Sequence, residues 1–210
     1  LNTLCQSQNL SANDFGEILK EAIDASVTIK KNLKQALELV ENFKEVAIDQ
    51  SSEERHRFNI KDYLDEVLMS LQPKLKQTCH EIITVCPENI EITSYPDTFS
   101  QIIRNFIVNS LTHAFDDKEA GEMEIRITIK NNRLFIDYRD NGCGMAAEAA
   151  EKIFDPFFST KKSGFGMGLP LVKQIIHEHL GELRLESKLG KGTVFDITFP
   201  IRWKEDTLIG

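Results

Sequence analysis

Three short motifs follow one another in a fixed order in the second half of the chain, and they constrain its fold more than any other feature. The first is a predicted helix that carries Asn105 and Asn109, the second is the run Asp140–Gly144, and the third is the run Gly164–Gly168. Together they supply an amide able to hold a metal, a carboxylate able to bind a purine, and a backbone able to close over phosphates. This order predicts a nucleotide-binding site.

The two asparagines stand four residues apart, so both side chains project from the same face of the helix. The rest of that helix is largely apolar, and buried amides need hydrogen-bond partners. Core asparagines bonded to nearby backbone would explain the pair equally well. An Asn carbonyl oxygen is also a suitable hard ligand for Mg²⁺, which usually keeps waters and binds substrate phosphates. The pair alone leaves both interpretations open.

Asp140 follows a predicted strand and precedes Gly142 and Gly144. A carboxylate at a strand end can accept a hydrogen bond from the exocyclic amine of adenine, and the glycines let the backbone approach the ring. An ordinary β-turn would also explain the Asp-Asn-Gly sequence. The sequence that follows decides between these interpretations in favour of a nucleotide.

The segment that follows places the aromatic residues of 153–160 beside Lys161 and Lys162, just before the second glycine cluster. Such a segment can hinge and bring ammonium groups to phosphates. The start of the next helix presents free N–H groups, which favour anions. A lone glycine cluster would be a weak signal, but its position after the other two motifs makes it a strong one.

Composition excludes two classes of partner. The net charge of −8 argues against a nucleic-acid surface, because binding to the phosphate backbone needs clustered Lys and Arg. No apolar run approaches the length of a membrane span, so we expect no membrane contact by this chain.

The N-terminal part predicts one long helix from residue 11 to about residue 49. Its apolar residues recur at alternating spacings of four and three, which is typical of a helix in a bundle or coiled coil. A core helix of a monomer is the alternative, but little of the remaining chain could cover so long an apolar face, so an intermolecular bundle is favoured. The positions are Phe15, Leu19, Ala22, Ser26, Ile29, Leu33, Ala36, Val40, Phe43 and Ala47.

The remainder predicts an α+β fold, a two-layer α/β sandwich in which helices cover one face of a mixed sheet. Asn131 and Asn132 separate two of its strands and predict a hairpin turn. The predicted helices lie at about 60–76, 97–114 and 169–179, and the predicted strands near 81–86, 90–95, 123–130, 133–138, 182–188 and 193–199.

With these motifs in this order, the chain resembles the ATP-binding domain shared by sensor histidine kinases, DNA gyrase, mismatch-repair ATPases and the large heat-shock chaperones. The stretch from Phe43 to Lys76 further resembles bacterial two-component sensor kinases. The matching motifs are the N box at 101–110, the first glycine box at 140–145, the F box at 153–160, the second glycine box at 164–169 and the closing glycine box at 190–193.

The resemblance implies four regions and an ATP site. Residues 1–50 would be part of a dimerisation hairpin, 51–58 a linker, 59–203 the ATP-binding catalytic domain and 204–210 a C-terminal tail. The implied ATP-binding residues are Asn105, Asn109, His113, Asp140, Gly142, Gly144, Met145, Lys161, Lys162, Gly164, Phe165, Gly166, Met167, Gly168, Leu169 and Thr193.

Within that site the resemblance implies that Asn109 binds Mg²⁺ and that Asp140 binds adenine with support from Thr193. The two lysines and the glycine-rich backbone would hold the phosphates. Asn105 and His113 would line the phosphate end as catalytic positions. Thr112 departs from the Lys often found at its position in such kinases, which puts one phosphate contact in doubt.

The residue at position 105 also predicts the reaction. Relatives that hydrolyse ATP usually carry Glu there as a general base. An amide cannot take a proton from water at neutral pH, so Asn105 fits a site that protects ATP until an external nucleophile arrives. Transfer of the γ-phosphoryl group to histidine suits such a site, because positioning and charge neutralisation do most of the catalysis.

The acceptor histidine of such kinases stands in a His-Glu or His-Asp motif, commonly followed by Asn-Pro or Thr-Pro. None of the five histidines has that context, so we expect the acceptor to lie outside this chain, in a longer protein. We therefore expect the chain to bind Mg-ATP without phosphorylating itself. The histidines are His56, His80, His113, His177 and His179.

The resemblance further implies two partners: a response-regulator receiver domain, and a second copy of the longer protein in a homodimer. It also implies a cytoplasmic location, either as a cytoplasmic protein or as the cytoplasmic part of a membrane-anchored sensor. Three alternatives stay open. They are an ATP-hydrolysing relative, a protein-serine kinase of the anti-sigma type, and a signalling adaptor that has lost nucleotide affinity.

Overall fold

A computed structural model describes residues 15–30, 32–33, 55–115, 120–161 and 166–201. The chain divides into two compact units, Leu1–Ile48 and Asp49–Gly210. In the first unit, residues 15–30 and 32–33 form helix α1. The predicted long helix is confirmed over this stretch, and the rest of its range lies outside the described residues.

The apolar face of α1 is exposed in the single chain. Six large apolar side chains on it are each more than half exposed, so the helix does not bury its own hydrophobic residues. They are Phe15, Leu19, Ile23, Val27, Ile29 and Leu33. Covering of this face by further helices, as the heptad pattern predicts, stays a prediction.

The second unit contains the elements of an α+β domain. They are β1 (His56–Asn59), α2 (Ile60–Leu75), β2 (Glu81–Val85), β3 (Glu91–Ser94), α3 (Pro96–Asn109), a π-helical turn (Ser110–Ala114), β4 (Glu122–Lys130), β5 (Arg133–Asp140), α4 (Ala147–Lys152), α5 (Gly168–Glu178), β6 (Glu182–Lys188) and β7 (Gly192–Pro200).

Five of the strands form one mixed sheet in the order β2-β4-β5-β7-β6. The β2–β4 pair is parallel and the other pairs are antiparallel. Burial alternates along β4 and β5, as expected when one face of a sheet is covered by helices and the other is solvated. The predicted mixed sheet with helices is therefore confirmed.

Helices α2, α3 and α5 supply the apolar residues that cover the buried face of the sheet. At its centre, the ring of Phe106 from α3 stacks on Phe195 from β7, with ring centroids 4.4 Å apart. The same Phe106 ring lies 5.2 Å from the ring of Tyr138 on β5. This aromatic group fixes α3 against the two central strands that lead into the candidate site.

The predicted hairpin turn between β4 and β5 is confirmed. Asn131 and Asn132 have φ angles of 52° and 59°, the left-handed values that a two-residue turn of type I′ requires. Asn is among the non-glycine residues that adopt this conformation at least cost. The turn sets the register that ends β5 at Asp140.

The predicted linker at 51–58 differs from the structure at its C-terminal end, where β1 begins at His56 and pairs antiparallel with β3. The strand depends on a partner more than thirty residues away along the chain, which its polar local sequence does not reveal. Directly after β1, the Asn59 side chain caps α2 by accepting from two backbone N–H groups.

Two further details were not predicted. The helix predicted at 97–114 ends as an α-helix at Asn109 and continues as the π-helical turn. The short helix α4 has no side-chain cap and only six residues, too few to show a periodic pattern. Among the helices of the described residues, none is both long and apolar enough to cross a membrane.

Candidate functional site

The predicted site residues meet where the last turn of α3, the end of β5 and the start of β7 come together. Asp140 is the last residue of β5, and Thr193 pairs with it across the sheet. Both side chains are largely buried, with 8% and 6% of their surface exposed. Sheet register thus brings together two residues that the resemblance had assigned to the same ligand.

Two donors hold the carboxylate of Asp140, one on each oxygen. The hydroxyl of Ser110 donates to Oδ2 at 3.0 Å, and the backbone N–H of Gly142 donates to Oδ1 at 2.9 Å. Hydrogen bonds to a carboxylate are stronger than those between neutral groups. The side chain of Asp140 therefore has a fixed orientation before any ligand binds.

Ser110 in turn accepts a hydrogen bond from the hydroxyl of Tyr138, at 2.8 Å. The Tyr138 side chain is completely buried, and burial raises the pKa of its hydroxyl well above the ordinary value of a tyrosine. Neither Ser110 nor Tyr138 was predicted as a site residue. Two independent signals were available: Tyr138 lies on the same face of β5 as Asp140, and Ser110 directly follows Asn109.

On the other side of Asp140, Ser187 was also missed. Its hydroxyl bonds to the Thr193 hydroxyl at 3.0 Å, donates to the carbonyl of Gly192 at 3.1 Å, and accepts from the backbone N–H of Met145 at 2.9 Å. Ser187 therefore links the closing glycine box on β7 to the loop after β5. It holds Thr193 and Met145 in place.

The backbone is tightly packed around this end of the site. A Cβ added to Gly192, which has a φ of 93°, would lie 1.9 Å from the carbonyl oxygen of Asp140. A Cβ on Gly144, which has a φ of 64°, would lie 2.1 Å from the carbonyl oxygen of Lys188. Only glycine fits either position, because both the angle and the space exclude a side chain.

The opposite end of the site lies between α3 and the start of α5. A Cβ added to Gly168, the first residue of α5, would lie 2.6 Å from Oδ1 of Asn105 and 3.8 Å from Nδ2 of Asn109. Gly168, the last residue of the second glycine cluster, therefore lies adjacent to the two asparagines. Met167 and Leu169 flank this point and are half-buried. The N-terminus of a helix favours anions such as phosphate.

The two asparagines differ in how their amides are satisfied. Nδ2 of Asn105 donates to the carbonyl of Gln101 at 2.9 Å. Nδ2 of Asn109 is buried and has no hydrogen-bond partner among the described residues. A buried polar atom without a partner costs about 1–3 kcal/mol, so such an atom in a native fold needs an explanation.

A phosphorylated ligand with a divalent cation would provide that explanation. The Asn109 amide nitrogen can donate to a phosphate oxygen, and a rotation of the amide by half a turn puts its carbonyl oxygen in the same place, where it can bind Mg²⁺. The residues at this end of the site therefore fit a magnesium–phosphate group.

His113 and Lys161 lie beside this end. His113 is on the π-helical turn, with its Nδ1 3.4 Å from the hydroxyl of Thr160, and the ammonium group of Lys161 donates to the carbonyl of Thr112. These contacts attach the segment after α4 to the end of α3.

A backbone hydrogen bond joins Phe157 to Gly166 ahead of α5. The backbone N–H of Phe157 donates to the carbonyl of Gly166 at 3.1 Å, and Gly166 has a φ of 64°. The predicted site residues Lys162, Gly164 and Phe165 lie outside the described residues.

Comparison with known proteins agrees with this geometry. Residues 94–202 match the profile of the family described as histidine kinase-, DNA gyrase B-, and HSP90-like ATPase. Sporulation kinase E of Bacillus subtilis is 31% identical over 199 residues, which are 90% of this chain and 26% of that protein. The chain spans about a quarter of the length of the curated relatives that match most of it, so it corresponds to one part of a longer protein in each case.

Solved structures of histidine kinases share the fold. The catalytic domain of histidine kinase ThkA superposes with a TM-score of 0.61 at 25% identity, over 70% of this chain and 96% of that one. Histidine kinase ThkA in complex with the response regulator protein TrrA superposes with a TM-score of 0.63 at 21% identity, over 81% of this chain and 49% of that one.

Proposed function

Because the chain belongs to the histidine kinase-, DNA gyrase B-, and HSP90-like ATPase family, and its relatives include sensor histidine kinases, we propose that it transfers the γ-phosphoryl group of ATP to a histidine. The phosphoryl group then passes to a response regulator. In this proposal residues 1–50 belong to a dimerisation hairpin, residues 51–55 are the linker, residues 56–203 are the ATP-binding catalytic domain with β1 as its first strand, and residues 204–210 are a tail.

The observation that supports this function best is the contrast between the two ends of the site. At one end both oxygens of the Asp140 carboxylate are held by hydrogen bonds, and at the other Nδ2 of Asn109 is buried without a described partner. A bound ATP with its base at Asp140 would place the amino group of adenine, a donor, beside the carboxylate. Its phosphates would place charged oxygens beside Nδ2 of Asn109.

At the phosphate end, Asn109 would hold Mg²⁺ together with the phosphates of the nucleotide. The ion would supply neutralisation of the phosphate charge when it is bound. Lys161, Lys162 and the backbone of residues 164–169 would bind phosphate oxygens, and the N-terminus of α5 adds its own preference for anions. His113 would contact the phosphates from the π-helical turn.

Asn105 favours phosphoryl transfer over hydrolysis. Its amide nitrogen donates to the Gln101 carbonyl, and its Oδ1 faces the first residue of α5. An amide in this place can position a phosphate but cannot act as a general base for water. The γ-phosphoryl group would therefore remain on ATP until a nucleophilic histidine reaches it.

The proposed partners follow from the same assignment. The exposed apolar face of α1 would pack in a bundle with a second copy of the longer protein. A receiver domain is proposed as the partner that takes the phosphoryl group, and the ThkA–TrrA complex is an example of a kinase of the same fold bound to a response regulator. We propose a cytoplasmic location, since ATP and the receiver domain would be met there.

Titration calorimetry with ATP in the presence and absence of Mg²⁺ tests this function. We expect binding that Mg²⁺ strengthens, and we expect the Asn109→Asp variant to bind metal-free ATP more weakly and to depend more strongly on Mg²⁺, because the added carboxylate repels the phosphates when the ion is absent and attracts the ion when it is present. An Asn109→Asp variant with unchanged dependence on Mg²⁺ would show that Asn109 does not hold the ion.

Incubation with γ-labelled ATP distinguishes the reaction classes. We expect no acid-labile label on this chain, and we expect label on a separately supplied helical hairpin that carries the acceptor histidine of a related kinase. Continuous phosphate release without any acceptor would identify a hydrolase instead. Label on the chain itself would show that one of its own histidines is the acceptor.

A further inference from the structure

A chain of three hydrogen-bonded side chains leads from the core of the domain to the site. Tyr138 donates to Ser110 at 2.8 Å, and Ser110 donates to Oδ2 of Asp140 at 3.0 Å. We propose that Tyr138 and Ser110 are positioning residues that hold Asp140 as a hydrogen-bond acceptor and thereby set the preference for purines with an amino group at position 6 over purines with a carbonyl there. This inference rests on the proposed function, in which Asp140 binds the base.

The direction of the hydrogen bonds follows from the chemistry of each group. A serine hydroxyl has one proton, and an ionised carboxylate can only accept. Because Tyr138 gives its proton to the Ser110 oxygen, the Ser110 proton is directed to Asp140. Burial raises the pKa of the Tyr138 hydroxyl, so it stays protonated and remains a donor.

Tyr138 cannot move to change this arrangement. Its side chain is completely buried, and its ring lies against Phe106 at 5.2 Å and Phe195 at 6.4 Å between centroids. Close-packed aromatic side chains have few alternative positions. The series of hydrogen bonds therefore starts from a fixed point in the core.

The other oxygen of Asp140 is held by backbone. The N–H of Gly142 donates to Oδ1 at 2.9 Å, and the space around Gly142 is closed, since an added Cβ would lie 2.4 Å from Cβ of Ala114. With both oxygens engaged, the carboxylate plane cannot rotate without breaking a hydrogen bond to a charged group. The carboxylate thus presents an acceptor in one direction.

This arrangement distinguishes bases by whether position 6 of the purine carries a hydrogen-bond donor or an acceptor. A 6-amino group donates to the carboxylate, whereas a 6-carbonyl group faces it with a second acceptor, so the two groups repel each other and the carbonyl has no donor. Sites built around such a buried hydrogen bond reject the wrong partner strongly. Without the Ser110 hydroxyl, the carboxylate could rotate, or take up a proton and donate to the carbonyl, so the discrimination should fall.

The test is a double-mutant cycle on the complete 210-residue chain, with the variants Ser110→Ala, Tyr138→Phe and both together. The dissociation constants of Mg-ADP and Mg-GDP are measured by calorimetry, and the readout is their ratio. For Ser110→Ala we expect the preference for ADP over GDP to fall about tenfold, as for loss of one hydrogen bond to a charged group. For Tyr138→Phe we expect a fall of about threefold, because the serine then orients its proton less strictly.

The double variant shows whether Tyr138 acts through Ser110 or whether the two residues affect the ADP/GDP preference independently. If Tyr138 acts through Ser110, Tyr138→Phe should have no further effect on the ratio in the Ser110→Ala background. The ratio also does not depend on how much of the protein is folded, since the unfolded chain binds neither nucleotide. A variant that is merely less stable therefore leaves the readout unchanged.

Thr98→Val is the matched control. Thr98 is another buried hydroxyl residue, in the first turn of α3 and so at the far end of that helix from Ser110, and its Oγ1 lies 3.2 Å from Nε2 of His179. Its replacement should lower the unfolding temperature without changing the ratio of the two dissociation constants.

An unchanged ratio in Ser110→Ala would overturn the inference, and so would independent effects of the two substitutions in the cycle. In both cases the unsubstituted chain would still bind ADP, so the proposed function would stand. A chain that binds neither nucleotide would remove the proposed function and this inference together.

Discussion

The two ends of the site satisfy their polar groups in different ways. At the end proposed to bind the base (the base end), Asp140 and Thr193 lie on strands and are almost fully buried. Each is hydrogen-bonded to a nearby serine. At the phosphate end, the candidate groups lie on helix ends and a loop, and Nδ2 of Asn109 has no partner in the described part of the chain. The first end therefore satisfies its carboxylate within the protein, whereas the second leaves one buried amide nitrogen without a partner among the described residues.

This difference indicates which end of the site must rearrange its side chains when a ligand binds. A group already held in its binding orientation loses little conformational entropy when the ligand arrives. At the phosphate end, Phe157 is 64% exposed, and its φ of 68° is an unfavourable value for a non-glycine residue. We therefore expect substitutions at the base end to affect recognition directly, and substitutions at the phosphate end to affect the balance between stability and binding.

The largest expected effect is that of Asp140→Asn. The amide presents a donor where the carboxylate presented an acceptor, and it weakens the bonds to Ser110 and Gly142. We expect the affinity for ATP to fall at least about 100-fold, measured by calorimetry.

Asp137→Asn is the control, because Asp137 lies on the same strand but on the opposite face of the sheet, beside Asp196. It should bind ATP as the unsubstituted chain does. Equal ATP affinity in the Asp140→Asn variant would show that the carboxylate does not bind the base and would remove the contrast between the two ends.

A pair of glycine substitutions tests how closely the base end is packed. Gly190 and Gly192 both have positive φ angles, of 74° and 93°, but a Cβ on Gly190 meets nothing within 4 Å, whereas one on Gly192 would lie 1.9 Å from the Asp140 carbonyl oxygen. We expect Gly190→Ala to lower the free energy of unfolding by about 1 kcal/mol and Gly192→Ala by about 3 kcal/mol or more.

Urea unfolding of both variants measures this difference. Each substitution adds the same methyl group to a left-handed residue, so the difference between them reports the steric contact alone. Similar losses in the two variants would mean that the backbone beside Asp140 can move, and that the base end is less rigid than the structure indicates.

The smallest expected effect has the opposite sign. Asn109→Leu replaces an amide whose nitrogen has no described partner with an apolar side chain of similar shape. We expect the free energy of unfolding of the nucleotide-free chain to rise by about 1 kcal/mol, because an unsatisfied buried group is removed, while affinity for Mg-ATP is lost.

Asn105→Leu is the matched control on the same helix face. Its amide nitrogen already bonds to the Gln101 carbonyl, so its replacement should not stabilise the chain. Thermal unfolding without nucleotide measures both variants. A loss of stability in Asn109→Leu as large as that in Asn105→Leu would show that the amide of Asn109 is satisfied before ligand binds.

Much of this contrast could be predicted from local sequence. The turn at Asn131 and Asn132 depends only on the residues that form it, and the position of Asn105 and Asn109 on one helix face follows from their spacing. The order of the glycine clusters predicted the two ends of the candidate site, and the family resemblance implied that Thr193 supports Asp140, with which it pairs across the sheet.

The residues that were missed depend on long-range register. Ser110 and Tyr138 are 28 positions apart in the chain, and their contact exists because α3 packs across β5. In sequence, Tyr138 is simply one of the buried residues of an alternating strand. Ser187 likewise becomes part of the site only through the pairing of β6 with β7. Strand β1 was missed for the same reason, since its partner β3 lies far along the chain.

The alternation of β5 has a consequence for how this domain can change over evolution. Tyr138 and Asp140 lie on the same face of one strand, so the residue that fills the centre of the domain also leads directly to the residue that we propose selects the ligand. Replacements of Phe106 or Phe195 that shift the tyrosine ring would alter nucleotide choice without touching a nucleotide. If Asp140 selects the base as proposed, sequence change in the hydrophobic interior and change in substrate preference would be coupled in this protein.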